Sequence, residues 1–426
     1  MTNRKFFLCA AGITLIALLI RVHYVLTVEI VNPLGGDARE YVAYAQNLLR
    51  GYFGIGATPD AYRSPGYPTL IAAAMSLGGN WYLRLLLWQA VLGAGTVALT
   101  AYLGRRFMPA WAALGAAGLL AVWPHHIAFT AEVLGEVSFG FSLAAALLVS
   151  VVAVDRKTPS WAIGAGLAWG LAYLVNPICA ALPLALAVIW WIPARKTAAV
   201  MLAPFAMVIL LWGLRPAEGG SERIWTNLVQ GSYPLYHRAY VSRHAHPEPA
   251  RIIAEIDADV ARTLASPTAG IDRLATRVSE NPGGFAKWYA SKAFLLWDWD
   301  VRISDAFGPY VHKANASSLE SGLLGSFATA AKAINPILFW LAIAGSFAAW
   351  RAGHAGRTVA LAFLYFTAVH VVLQAEPRYS VPYRPVQFML AAYFTWAIAD
   401  LVRSRVWKRS SRREGSRVAT NTLGDA

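Results

Sequence analysis

Charge is scarce in this chain. Only 14% of its 426 residues are Asp, Glu, Lys or Arg, where soluble proteins carry about a quarter. Hydrophobic residues make up 57%, and they gather in repeated runs of roughly 18–20 residues, the length a helix needs to cross a bilayer. A soluble globular domain is thereby excluded. Cysteine is nearly absent: Cys9 and Cys179 each lie in an apolar run and fall toward opposite membrane faces. That excludes a disulfide between them and any cysteine metal site. There is no Walker loop, dinucleotide glycine fingerprint or nucleophile elbow, so ATP-driven transport is unsupported. His125-His126 and His244-Ala245-His246 lack helical ligand spacing and a third partner, which argues against zinc. The absence of an internal repeat weakens an inverted-repeat transporter.

What the chain does have is an imbalance of sign, 37 Lys and Arg against 23 Asp and Glu, for a net charge of +14. The basic residues sit in short links between apolar runs and in the tail, as membrane orientation requires, so nucleic acid is not the partner they indicate. The pattern predicts an all-α polytopic membrane protein of about ten spans, its first helix a retained signal anchor. The spans fall near residues 6–27, 82–103, 111–123, 133–154, 161–175, 178–192, 198–214, 333–350, 359–374 and 383–401. With the N-terminus in the cytoplasm, Arg105-Arg106, Arg156-Lys157, Arg195-Lys196, Arg351 to Arg357 and the tail all fall inside. The layout divides the chain into a membrane module over 1–214 with an outer loop at 28–81, an outer helical block at 215–332, closing spans over 333–402 and a basic tail at 403–426.

The outer side then collects most of the ionisable residues that a membrane protein does not carry without reason. Gly35-Gly36-Asp37 opens a helical pattern through Glu40, Tyr41, Tyr44 and Leu48 to Gly51. Asp37 stands where an N-cap belongs, and is either a cap on an interfacial helix or a carboxylate placed to take a proton. Glu132 and Glu136 are spaced i, i+4 at the outer end of the fourth span, on one helical face, where they repel unless a cation or proton lies between them. Arg63, in Arg63-Ser64-Pro65-Gly66-Tyr67-Pro68, and Arg378, in Glu376-Pro377-Arg378-Tyr379, are held in stiff turns. Each is either half of an ion pair or a planar fork for a phosphate.

In this order the pieces resemble the GT-C superfamily of membrane glycosyltransferases, in particular the branch with protein O-mannosyltransferases and aminoarabinose transferases. The first span ends in Arg21 and is followed by Gly36-Asp37. The segment Tyr62 to Pro68 is similar to the family's Arg-x-Pro-x-Tyr-Pro element. Pro124 with Glu136 and Phe139 resembles its second acidic motif, Asn281-Pro282 with Phe285, Lys292 and Trp297 its membrane-return segment, and Glu376 to Pro382 with Pro385 its last outer turn. One departure is Asn176-Pro177, where the family commonly has Arg-Pro.

The resemblance implies an inverting transfer on the outer face of the cell (inner) membrane, from a polyprenyl-phosphate sugar to a glycan, lipid or protein hydroxyl. It implies Asp37 as general base and Glu136, or alternatively Glu132, as the residue orienting sugar or acceptor. Arg63, Arg378 and Arg21 would hold the phosphate, with Glu40, Tyr41, Tyr67, His125, Glu376 and Tyr379 around the pocket. Nothing in the sequence calls for an obligatory metal or other cofactor. A flippase, or a ligase or polymerase of lipid-linked glycans, is the competing expectation.

Overall fold

The computed structural model describes residues 1–56, 58–215, 222–303, 306 and 308–421, with 191–193 and 405–421 as backbone only. Most of the basic tail's charges therefore lie outside the described side chains. The order is α1 (Asn3–Thr27), β1 (Glu29–Ile30), α2 (Asp37–Leu49), α3 (Gly66–Ser76), α4 (Trp81–Gly104), α5 (Ala110–Ala121), α6 (Pro124–Ala128), α7 (Glu136–Arg156), α8 (Pro159–Val175) and α9 (Leu182–Gly213). A set of shorter helices follows: α10 (Glu222–Gly231), α11 (Tyr236–Ser242), α12 (Pro247–Ala265), α13 (Pro267–Glu280) and α14 (Pro282–Leu296). The chain closes with β2 (Ala314–Asn315), α15 (Gly322–Ala349), α16 (Gly353–Val372) and α17 (Arg384–Asn421).

Among the described residues, seven helices are long and apolar enough to cross a membrane, and the protein is an integral membrane protein. An eighth crossing is available if α5 and the segment 124–131, bent by 57°, count as one span. Two shorter apolar helices, Pro159–Val175 and Pro177–Trp190, occupy the stretch around Asn176-Pro177. The break there has a local cause: Pro177 ends α8, and the Asn176 side chain accepts the Ile178 N–H at 3.2 Å. At Arg195-Lys196 the chain does not form a loop but a kink inside α9, where Ala194 leaves helical geometry. α15 starts at Gly322, earlier than the apolar run from 333 implies, and carries Lys332 beside Asp300 at 3.5 Å.

α7 is the most enclosed span, 72% buried, while α1 and 194–213 are 22% buried. The latter turn Phe7, Leu15, Leu19, Leu210 and Leu211 outward, as lipid-facing helices do. α15 and α17 pack so closely that a side chain on Gly345 would collide with the Leu390 carbonyl at 2.2 Å, the close approach that small residues allow between membrane helices. The only strand pairing among the described residues is β1 with β2, antiparallel, Glu29 opposite Asn315. It ties the segment after α1 to the segment between α14 and α15.

Candidate active site

The segment between α1 and α4 builds half of the site. Gly36 adopts φ 56°, a conformation open to glycine, and turns the chain into α2. Asp37 is the first residue of that helix and not its cap, since Gly36 occupies the cap position. Its carboxylate is thus free of capping and turns to two arginines. Oδ1 accepts from Arg63 Nη2 at 2.7 Å, and Oδ2 accepts from Arg378 Nη2 at 2.5 Å. Glu40, one turn on, accepts from Arg63 Nε at 2.8 Å and Nη2 at 2.6 Å. Glu136 opens α7 and accepts from Arg378 Nε at 2.8 Å. Both Asp37 and Glu136 sit in the first turn of a helix, where the dipole favours a carboxylate.

Each arginine is placed by its own scaffold. Asp60 shapes the loop before Arg63 by accepting the Ile55 and Tyr62 N–H groups at 2.8 and 3.1 Å and the Tyr44 hydroxyl. Asn47 donates to the Gly54 carbonyl at 2.8 Å. The Arg63 guanidinium lies over the rings of Tyr41 and Tyr62, 4.9 and 5.5 Å from their centroids, close enough for cation–π attraction. Arg378 stands in the 3-10 turn Pro377–Tyr383, its own N–H donated to Glu376 Oε2 at 2.7 Å.

The electrostatics follow from this geometry. Burial pushes the Asp37 carboxyl up, but the Arg378 and Arg63 guanidinium groups outweigh it and hold the carboxyl well below the usual carboxylate range. Burial likewise opposes the charge on Arg63, and Tyr41, Asp37 and Glu40 overcome it. The side chains of Asp37 and Glu40 are 29% and 40% exposed, against 7% and 12% for Arg63 and Arg378. An entering molecule therefore meets the carboxylates before the guanidinium groups.

Of the residues singled out in the sequence, Asp37, Glu40, Glu136, Arg63 and Arg378 come together in this one network, with Tyr41 and Tyr379 at its border. The Tyr379 hydroxyl donates to Gln374 Oε1 at 3.0 Å. Tyr67 is fully buried behind them, edge-on to Tyr41 at 5.1 Å and donating to Gln89 Oε1 at 2.9 Å.

Four others are elsewhere or otherwise engaged. Arg21 is completely buried, and its guanidinium donates to the Ala17, Ala121 and Leu120 carbonyls and meets His126 Nδ1 at 2.9 Å. It closes the end of α5 and is not a phosphate ligand. His125 is buried with Nε2 2.7 Å from the Trp299 carbonyl oxygen, a packing residue and not part of a pocket. Glu132 does not share a helical face with Glu136, because α7 begins only at Glu136 and Glu132 is extended. Its carboxylate instead accepts the His312 N–H at 3.1 Å and meets His312 Nδ1 at 2.6 Å. Glu376 is fully buried and accepts the Arg302 and Ile303 N–H groups at 2.5 and 3.3 Å. Burial pushes its carboxyl up against the pull of those N–H groups and Arg378, and it serves as a backbone anchor, not a pocket wall.

Sequence reasoning missed Gln89, which donates to the Thr130 and Glu132 carbonyls at 3.0 and 2.9 Å. An amide inside an apolar run was its available signal. Nothing local marks His312.

Arg21→Met is expected to lower stability in detergent by about 1.5–3 kcal/mol, the worth of a hydrogen bond to a charged group, and to leave lipid-phosphate binding unchanged. A drop in Tm with wild-type binding of a polyprenyl phosphate checks it; lost binding in folded protein returns Arg21 to the site.

Residues 62–217 match the family of Dolichyl-phosphate-mannose-protein mannosyltransferases. No curated protein matches the sequence significantly. Among solved structures, the chain is similar to the apo oligosaccharyltransferase of Archaeoglobus fulgidus, with TM-score 0.52 and 15% identity over 96% of this chain and 52% of that one. The archaeal oligosaccharyltransferase AglB from Archaeoglobus fulgidus, in complex with an inhibitory peptide and a dolichol-phosphate, aligns at TM-score 0.46 and 14% identity over 96% and 52%. ArnT from Cupriavidus metallidurans bound to undecaprenyl phosphate aligns at 0.42 and 13% over 90% and 78%. The chain thus spans about half the length of the oligosaccharyltransferase, and that likeness is one of fold.

Proposed function

We propose that the chain is a GT-C-type inverting glycosyltransferase, moving a sugar from a polyprenyl-phosphate carrier to an acceptor hydroxyl on the extracytoplasmic face, a reading supported by the family match over residues 62–217. The observation that supports this reading is the single network of Asp37, Glu40, Glu136, Arg63 and Arg378, assembled from residues as far as 341 apart in the chain. An acid poised to take a proton beside guanidinium groups suited to a phosphate is what such a transfer needs.

In the step proposed, Asp37 accepts the acceptor's hydroxyl proton while that oxygen attacks the anomeric carbon. The bond from the anomeric carbon to the phosphate oxygen breaks on the opposite side, and its electron pair leaves with the polyprenyl phosphate. Arg378, with Arg63 behind it, stabilises the growing charge on that phosphate. Glu136 holds Arg378, and Tyr41 and Tyr379 flank the sugar. Ten spans, counting the bent and short helices, with both termini in the cytoplasm of the inner membrane, would put this network on the outer side.

The test is turnover without a membrane barrier. Purified protein in detergent, given a labelled polyprenyl-phosphate sugar and a panel of glycan, lipid and peptide hydroxyl acceptors, is expected to release polyprenyl phosphate with label on an acceptor. A flippase leaves the donor intact under those conditions, and an intact donor with every acceptor overturns the enzyme reading.

A further inference from the structure

The resting network is made in a way that suppresses its own base. Both oxygens of Asp37 are engaged by arginine, and each arginine is shared with a second carboxylate, Arg63 with Glu40 and Arg378 with Glu136. Two guanidinium charges face three carboxylates, so the cluster is negative by one charge before any substrate arrives. An anion entering here cannot simply fill an empty cationic seat. It must draw a guanidinium away from a carboxylate that already holds it. Arg378 is the one able to respond, because Nε and Nη2 are committed and Nη1 makes no bond to a described residue.

We propose that Asp37 and the carrier phosphate compete for Arg378, so that Asp37 is released to take the acceptor's proton only once the donor is seated. This rests on the reading of the site as a polyprenyl-phosphate-sugar transferase and adds an order to it. The groups that face Asp37 are Glu40 and Tyr41 on its own helix, Arg63 from the loop between α2 and α3, Glu136 from α7, and Arg378 with Tyr379 from the turn before α17. The arginines alone among them favour the ionised carboxylate. The donor's phosphodiester carries a fixed negative charge, so each bond it takes from Arg378 removes support from the anionic form of Asp37. The carboxylate becomes a better proton acceptor by the same coupling, whether or not its bond to Arg378 breaks fully. Glu136, which accepts from Arg378 Nε at 2.8 Å, is a second rival for the same guanidinium. Without a donor, Asp37 stays a weak base. Water, entering the same site, is then not activated.

Linkage makes this measurable without turnover. The probe is a polyprenyl methyl phosphodiester, whose single charge is constant across the range used, bound to the full chain in detergent between pH 7.5 and 3. Seating it raises the proton affinity of Asp37 from well below the ordinary carboxylate range, so wild-type affinity is expected to stay level near neutral pH and to increase only as pH falls below about 4. Asp37→Asn removes the rival anion. It should bind the probe about tenfold or more tightly at pH 7.5, one guanidinium–carboxylate pairing being worth at least one pH unit, with the pH dependence lost. Glu136→Gln, which frees Arg378 in a different way, should also tighten binding, and keeps the test open should Asp37→Asn fail to fold. Wild-type affinity that ignores pH, or substitutions that weaken binding, would overturn the competition while leaving the enzyme reading intact. A chain that binds no probe at any pH loses the lipid-phosphate reading itself, and the competition with it.

Discussion

Asp37→Asn is expected to lower kcat by about 10²–10⁴, the range a positioned general base contributes, with the protein still folded and the carrier still bound. The substitution keeps the size of the side chain and one oxygen for an arginine to bond. It removes the charge that makes the network negative by one, so it does not leave a buried cation stranded. A transfer assay with labelled polyprenyl-phosphate sugar reads the loss. Transfer at the wild-type rate would take Asp37 out of the chemistry. The same carboxyl sets a sign for stability against pH. Because it is held well below its ordinary value near 4, its contribution is fully present above about pH 4 and is lost as pH falls further. A thermal-unfolding series across pH 7 to 3 should show this fall in the wild type and less of it in Asp37→Asn.

Arg378→Gln is expected to have the second large effect, on binding before chemistry. Removing one member of a buried, hydrogen-bonded charge pair costs about 2–5 kcal/mol, or roughly 30- to 4,000-fold in carrier affinity. It also leaves Asp37 with Arg63 alone and takes from Glu136 its guanidinium partner. Arg63→Gln should cost less in affinity. All three Arg63 nitrogens already face Glu40, Asp37 or the Tyr41 hydroxyl, so its loss falls on the position of the base and appears in kcat. Unchanged carrier affinity in both variants would remove the phosphate assignment, even with Asp37 upheld.

The sequence by itself determined the helical membrane class, because apolar runs longer than a bilayer is thick leave the backbone few other ways to satisfy its polar groups. It also determined which ionisable residues needed a reason, because charge in such a chain is costly. It marked Asp37 by its helix-opening surroundings, Arg63 and Arg378 by their stiff turns, and Glu136 by its spacing from Glu132. Spacing alone misled where a helix had not yet begun. Glu132 and Glu136 read as one face, yet α7 starts at Glu136, so Glu132 is extended and turns to His312. Arg21 reads as a site residue because it ends an apolar run, but the open carbonyls of α5 lie beside it and bond the guanidinium first. Only the tertiary structure decided which carboxylate meets which arginine. Those pairings join residues 23 to 341 apart, and local propensity holds no information about partners that packing alone brings within three ångströms.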